Sequence, residues 1–193
     1  MKINHKILFV VVLFMGFVFC NSLLYAAEIV GEEWLNVYLL GKKVGYGHTS
    51  TKEAVYKGQN CYEEISETMI KMNRGGTELT SFSNTIAYVK KDFVPIYFKS
   101  TQKLSNIEKI LEGTVKNKKL KIKSTFGKQI SKQEIDFPLN TYLDDSISDV
   151  IKQKGIIEGK KYNFNIFLKD ALKIIKVPVA IEGREKVKIK DKE

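Results

Sequence analysis

The sequence predicts a mainly β fold, β-rich α+β in class. The expected form is a long antiparallel meander curling into a half-barrel or strongly twisted sheet, with one amphipathic helix packed on it. Three observations predict it. Apolar residues alternate with a period of two along most of the chain after residue 27. Turn signals rich in glycine and asparagine separate the alternating runs. A single short segment, at about residues 141–154, carries a helical period instead.

The N-terminus has the pattern of a leader. Lys2 and Lys6 precede an apolar run from Ile7 to Phe19 broken only by Gly16, and Leu23-Leu24-Tyr25-Ala26-Ala27 follows. A basic start, an apolar stretch and small residues at the end make a secretory signal peptide. We place its end at Ala26, so that residues 1–26 are the leader and residues 27–193 a single β-rich domain. Two other fates fit the residues less well. An uncleaved Ile7–Ala27 segment, about 20 residues long, just suffices to span a bilayer. Lipoprotein processing at Cys20 would need a small residue where bulky Phe19 stands. The expected location is across the inner membrane, in the periplasm or cell envelope.

Among the strands, Phe82, Ile86 and Tyr88 share one face of a run, with Asn84 interrupting. Leu120 and Ile122 point one way while Lys119, Lys121 and Lys123 point the other. Tyr162, Phe164, Ile166 and Leu168 share a third face, and Ile175, Val177, Val179 and Ile181 a fourth. Turns are expected at Gly41-Lys42-Lys43, Gly58-Gln59-Asn60, Asn73-Arg74-Gly75-Gly76, Asn117-Lys118 and Glu182-Gly183-Arg184, where glycine and asparagine tolerate the positive φ of tight hairpins. Their early spacing of about 15 residues implies long strands. In the helical segment, Leu143, Ile147, Val150 and Ile151 fall on one face. Thr141 and Asp144 suggest a capping box, and Gly155 suggests the stop. Laying this stripe on the curved sheet would leave a hollow lined by Leu143, Ile147, Val150, Phe164 and Ile166, of a kind that could hold a ligand.

Composition narrows the chemistry. Cleavage after Ala26 lowers the formal charge from +10 to +8 and leaves one cysteine, Cys61, and one histidine, His48. One thiol cannot close an internal disulfide, so an apolar core must hold the domain. One histidine and one cysteine do not make a structural zinc site. As a nucleophile and base, His48 and Cys61 fail on register: a turn near residues 56–60 pairs Cys61 near residue 55. Asp144 and Asp145 are better placed to cap a helix than to hold a metal. Glu63 and Glu64 point to opposite faces of a strand and cannot share one substrate. Gly45-Tyr46-Gly47 lacks the third glycine and the helix of a dinucleotide loop, and no phosphate loop occurs. The expectation is therefore no catalytic residue, cofactor or metal.

The positive charge is almost all lysine, with Arg74 and Arg184 the only arginines. Lysine lacks the bidentate fork that reads bases, so an exported chain of this kind does not suggest nucleic-acid recognition. Ten lysines face only Glu108 and Glu112 between Lys99 and Lys132. Lys119, Lys121 and Lys123 could thus touch an anionic membrane or polysaccharide surface, or simply solvate and protect an exposed sheet.

The stretch from Trp34 to Tyr46, Trp-Leu-Asn-Val-Tyr-Leu-Leu-Gly-Lys-Lys-Val-Gly-Tyr, resembles the start of the pre-catalytic region of secreted bacterial transglutaminase-like proteins. Gly113 with Leu120 and Ile122, residues 155–162, and Val177 to Val187 extend the resemblance over about residues 33–190. The motifs are patterns of glycines and aromatics. The resemblance implies an accessory or binding domain, since the family's catalytic Cys, His and Asp lie in a downstream domain and no residue here matches them. It also implies a chain that stops short, with a last strand through Val187 and Ile189. The meander with its helix is similar in architecture to half-barrel carriers of the periplasm, which gives an alternative: a carrier for a lipid or acyl chain.

Overall fold

A computed structural model describes residues 29–105 and 107–183. The expected leader and the expected strand through Val187 and Ile189 lie outside the described residues. Eight strands follow one another as a single antiparallel meander. They are β1 (Ile29–Leu39), β2 (Lys42–Tyr56), β3 (Gln59–Arg74), β4 (Thr77–Val89), β5 (Pro95–Leu104), β6 (Ile107–Lys116), β7 (Lys119–Phe126) and β8 (Gln129–Asp136). Among the described residues β1 and β8 are both edges, and the sheet is not closed. Leu40-Gly41, Lys57-Gly58, Gly75-Gly76 and Asn117-Lys118 all have positive φ at both positions. That is the two-residue turn whose twist matches a hairpin, and it explains how such long strands stay in register.

The chain then makes a short strand β9 (Thr141–Leu143), a single 3-10 turn at Asp144–Ser146, helix α1 (Ile147–Lys154), and strands β10 (Lys161–Leu168) and β11 (Lys173–Ala180). β10 pairs antiparallel with β11 and parallel with β9, forming a separate three-stranded sheet. The helix is thus shorter than the spacing predicts. Residues 141–143 are strand, because all three side chains are buried and β10 offers them a ladder. No capping box forms: the Thr141 hydroxyl donates to the Pro138 carbonyl at 2.8 Å. The stop is where expected, with Gly155 at φ 92° and its N–H on the Lys152 carbonyl.

One face of the large sheet carries the core. Thr51, Glu64, Ala87, Phe98, Gly113 and Ile122 lie opposite one another across six successive strands. Phe98 and Leu120 are fully buried, and against them pack Leu143, Val150, Phe164, Ile166 and Phe167 from the small sheet and helix. Phe98 and Phe167 have ring centroids 5.8 Å apart. Each such aromatic or aliphatic side chain contributes about 1.5–3 kcal/mol by leaving water. Gly113 is required by this packing, because a Cβ there would lie 2.1 Å from the Phe98 ring.

The apolar stripe of β4 runs the other way from the core. Phe82, Ile86 and Tyr88 face outward, while Thr85, Ala87 and Val89 are buried. On this outer face Tyr56 stacks on Tyr88 at 4.4 Å and on Tyr97 at 5.6 Å.

Candidate functional site

The helix and small sheet cover only part of the inner sheet face. Cover reaches Thr51, through its hydroxyl on Asp149 at 3.4 Å, and Gln102, whose amide donates to Asp170 at 2.5 Å. From that line outward the inner face continues in two further rows, the first of which is covered only at Gln102. One runs from Leu35 through Gly47, Thr68, Ser83 and Gln102 to Lys109 and Phe126. The next runs from Val37 through Gly45, Ile70 and Ser81 to Leu104 and Ile107. Leu35 is 61% exposed, Leu104 55% and Ile107 54%. The result is a strip of hydroxyls flanked by apolar side chains, unlike the solid core beside it.

At the border between covered and uncovered parts is a cleft of about 310 Å³ between β1, β2 and α1. Its walls include Glu33, Thr49, Thr51, Asp149 and Lys152, with Tyr62 and Phe93 at one side. Lys152 spans it, donating to Glu33 at 2.5 Å and Asp149 at 3.4 Å. A hollow between helix and sheet therefore exists, and its lining mixes the apolar surfaces of Val30, Tyr62 and Phe93 with charged and hydroxyl groups. Leu143, Val150, Phe164 and Ile166 are buried in the core and Ile147 packs against it. None of the five lines this cleft or either of the two other described hollows.

Behind the cleft lies a buried polar cluster that the sequence did not reveal. Glu64 accepts a hydrogen bond from the Ser146 hydroxyl at 2.5 Å. Burial pushes its carboxyl up to about 7; the Ser146 bond opposes this, and Asp149 and Asp145 add to it. Lys169, 5% exposed, donates to Asp144 at 2.5 Å and also to Asp145. Burial alone would lower the Lys169 amine, but the two aspartates outweigh it and keep it ionised. Asp144 and Asp145 thus neutralise a buried lysine rather than cap the helix, which starts at Ile147. Among the described residues no buried side-chain nitrogen or oxygen lacks a partner. The only sequence signal for this cluster is the polar run Glu64, Ser66 and Thr68 on one strand face, and it reads equally well as a solvated face.

The other sequence candidates are dispersed. Cys61 is buried beside Ala54, and His48 lies opposite Glu67, six residues along β2 from Ala54. At strand spacing that separates them by about 20 Å, too far for a nucleophile and base. Lys119 pairs with Asp136 at 2.5 Å, while Lys121 and Lys123 lie 3.8 Å from Glu134 and Glu112. The three lysines share the outer face, each beside an acid. Among the described residues no group of three or more His, Cys, Asp or Glu side chains could hold a metal ion. No described helix is long and apolar enough to cross a membrane. Comparison of the chain with protein-family models, with curated proteins and with solved structures gave no match.

Proposed function

We propose that this chain is an exported, non-catalytic binding domain that seats a protein partner on the uncovered part of its inner sheet face. The partner class we favour is a transglutaminase-like catalytic domain, to whose pre-catalytic region the sequence is similar. The observation that supports this reading is the contrast along one face of the sheet. Under the helix and small sheet the core is filled, with Phe98, Leu120, Leu143 and Phe167 fully buried. Elsewhere on the same face of the large sheet Leu35, Leu104 and Ile107 are more than half exposed. Apolar side chains exposed at the two ends of a preformed strip of hydroxyls give the mixed apolar and polar surface that suits a protein interface. The alternative, a lipid or acyl carrier, draws support from the open sheet, but the hollow beside the helix carries charged and hydroxyl groups.

The test is to titrate the mature chain with a purified catalytic domain of the transglutaminase-like class, using isothermal calorimetry. Binding that is lost on Leu35→Asp and Leu104→Asp, with unchanged circular dichroism, is the expected result. Binding that ignores both substitutions, or none at all, rejects the reading. A stoichiometric lipid in native mass spectra of the protein taken from the cell envelope would favour the carrier. N-terminal sequencing of that material checks export, with Ala27 as the expected first residue.

A further inference from the structure

The outer face of the sheet carries an aromatic and acidic row that has no part in the core. Trp34 on β1 lies opposite His48 on β2, which lies opposite Glu67 on β3, then Asn84 on β4 and Thr101 on β5. All five point away from the helix and small sheet. Trp34 is 64% exposed, and its ring stacks on His48 at 4.0 Å and 19°. Tyr46 lies 5.8 Å from it and donates its hydroxyl to Glu67 at 2.6 Å. Glu32 accepts from the Trp34 indole at 3.3 Å and sits 3.0 Å from His48 Nε2. An exposed tryptophan is thus fixed in orientation by ring stacking and by a carboxylate. Exposed tryptophans are large apolar surfaces with a polar handle, and they serve recognition better than they serve solubility.

We infer that this row is a binding site for an uncharged pyranose oligosaccharide. Three features favour that ligand. The faces of Trp34 and its neighbours offer flat apolar surface to the C–H face of a sugar ring. Glu67, Glu32, Asn84 and Thr101 supply hydrogen-bond acceptors and donors for ring hydroxyls. Adjacent strands lie about 4.8 Å apart, so the five-residue row repeats at close to the step of a sugar chain and extends about 19 Å. Charge bears on the choice of ligand. At the Trp34 end Glu67 and, beside the row, Glu32 are carboxylates that disfavour an acidic polysaccharide or anionic membrane, while Lys99 and Lys103 flank Thr101 at the far end of the same face. The site lies on the opposite face from the proposed protein-binding surface and does not depend on it.

Trp34 is the only tryptophan in the chain, so its fluorescence reports on the site directly. The mature protein is titrated with cellotetraose and with chitotetraose up to about 10 mM, beyond which affinity falls below a few kcal/mol. A saturable change in emission with either glycan is expected. By calorimetry, Trp34→Ala should abolish binding. Glu67→Gln and Asn84→Ala should each weaken it about tenfold, the loss that one hydrogen bond brings. Leu104→Asp, on the other face, should leave it unchanged, which separates this site from the protein interface. Circular dichroism and melting temperature confirm that each variant is folded. The inference is overturned if neither glycan changes the emission, if binding survives in Trp34→Ala, or if anionic vesicles give the same Trp34-dependent response.

Discussion

The hydroxyl of Ser146 and the carboxylate of Glu64 meet at 2.5 Å, although 82 residues separate them in the chain. This contact ties the turn before α1 to the middle of the large sheet. It also places a carboxyl where burial favours the neutral form.

Glu64 should therefore make the domain less stable as pH rises from acid to neutral. Its carboxyl ordinarily titrates near 4.5 and in the folded chain at about 7. The folded state holds the proton more tightly, so the stabilisation is full below pH 4.5 and is lost as pH rises through about 7. The span is about 3 kcal/mol. Glu64→Gln keeps an acceptor for Ser146 and should flatten this slope. Urea unfolding at several pH values between 4.5 and 8 checks it; equal slopes in the two proteins would refute it.

Lys169→Met should destabilise the fold by about 2–4 kcal/mol, because it leaves Asp144 and Asp145 side by side with no counter-charge. Those carboxyls are about one-third exposed, which keeps the loss below that of a fully buried pair. Adding Asp144→Asn and Asp145→Asn should restore part of the stability. Denaturant midpoints of the three proteins give the answer, and a neutral Lys169→Met would mean the cluster adds nothing.

Gly113→Ala should cost about 1–3 kcal/mol, since the new methyl would enter the Phe98 ring. Phe98→Leu alone is destabilising, but in the Gly113→Ala background its cost should shrink. A double-mutant cycle on melting data measures that coupling. Additive effects would show that the two residues do not compete for the same space.

Lys119→Ala should leave the melting temperature almost unchanged, although its ammonium lies 2.5 Å from Asp136. Both partners are on the solvent side of an edge hairpin, where screening and side-chain entropy offset the attraction. The same holds for Lys121 and Lys123, whose carboxylates lie farther away. A melting shift of many degrees in any of the three would contradict this.

Alternation was readable wherever one face of a strand is apolar and the other charged. In β7, Leu120 and Ile122 against Lys119, Lys121 and Lys123 left one choice, and the core lies on the apolar side. In β10, Tyr162, Phe164, Ile166 and Leu168 pointed to the core, but Phe167 on the other face is fully buried as well. That second burial comes from the rings of Phe98 on β5 and Phe137 in the connection after β8, both far away in the chain. In β4 both faces carry apolar residues, so the pattern of Phe82, Ile86 and Tyr88 did not tell which one was inside.

The sequence by itself determined the antiparallel meander, its glycine and asparagine turns, and the end of the helix at Gly155, because φ preferences and side-chain alternation act over neighbouring residues. Tertiary structure alone decided that residues 141–143 join β10 as a strand, that Glu64 faces inward to Ser146, and that Lys169 draws Asp144 and Asp145 away from the helix end. It also decided that Trp34, His48 and Glu67 stand in line. Each of these relationships is set by strand register or by burial among segments far apart in the chain, where local periodicity carries no information.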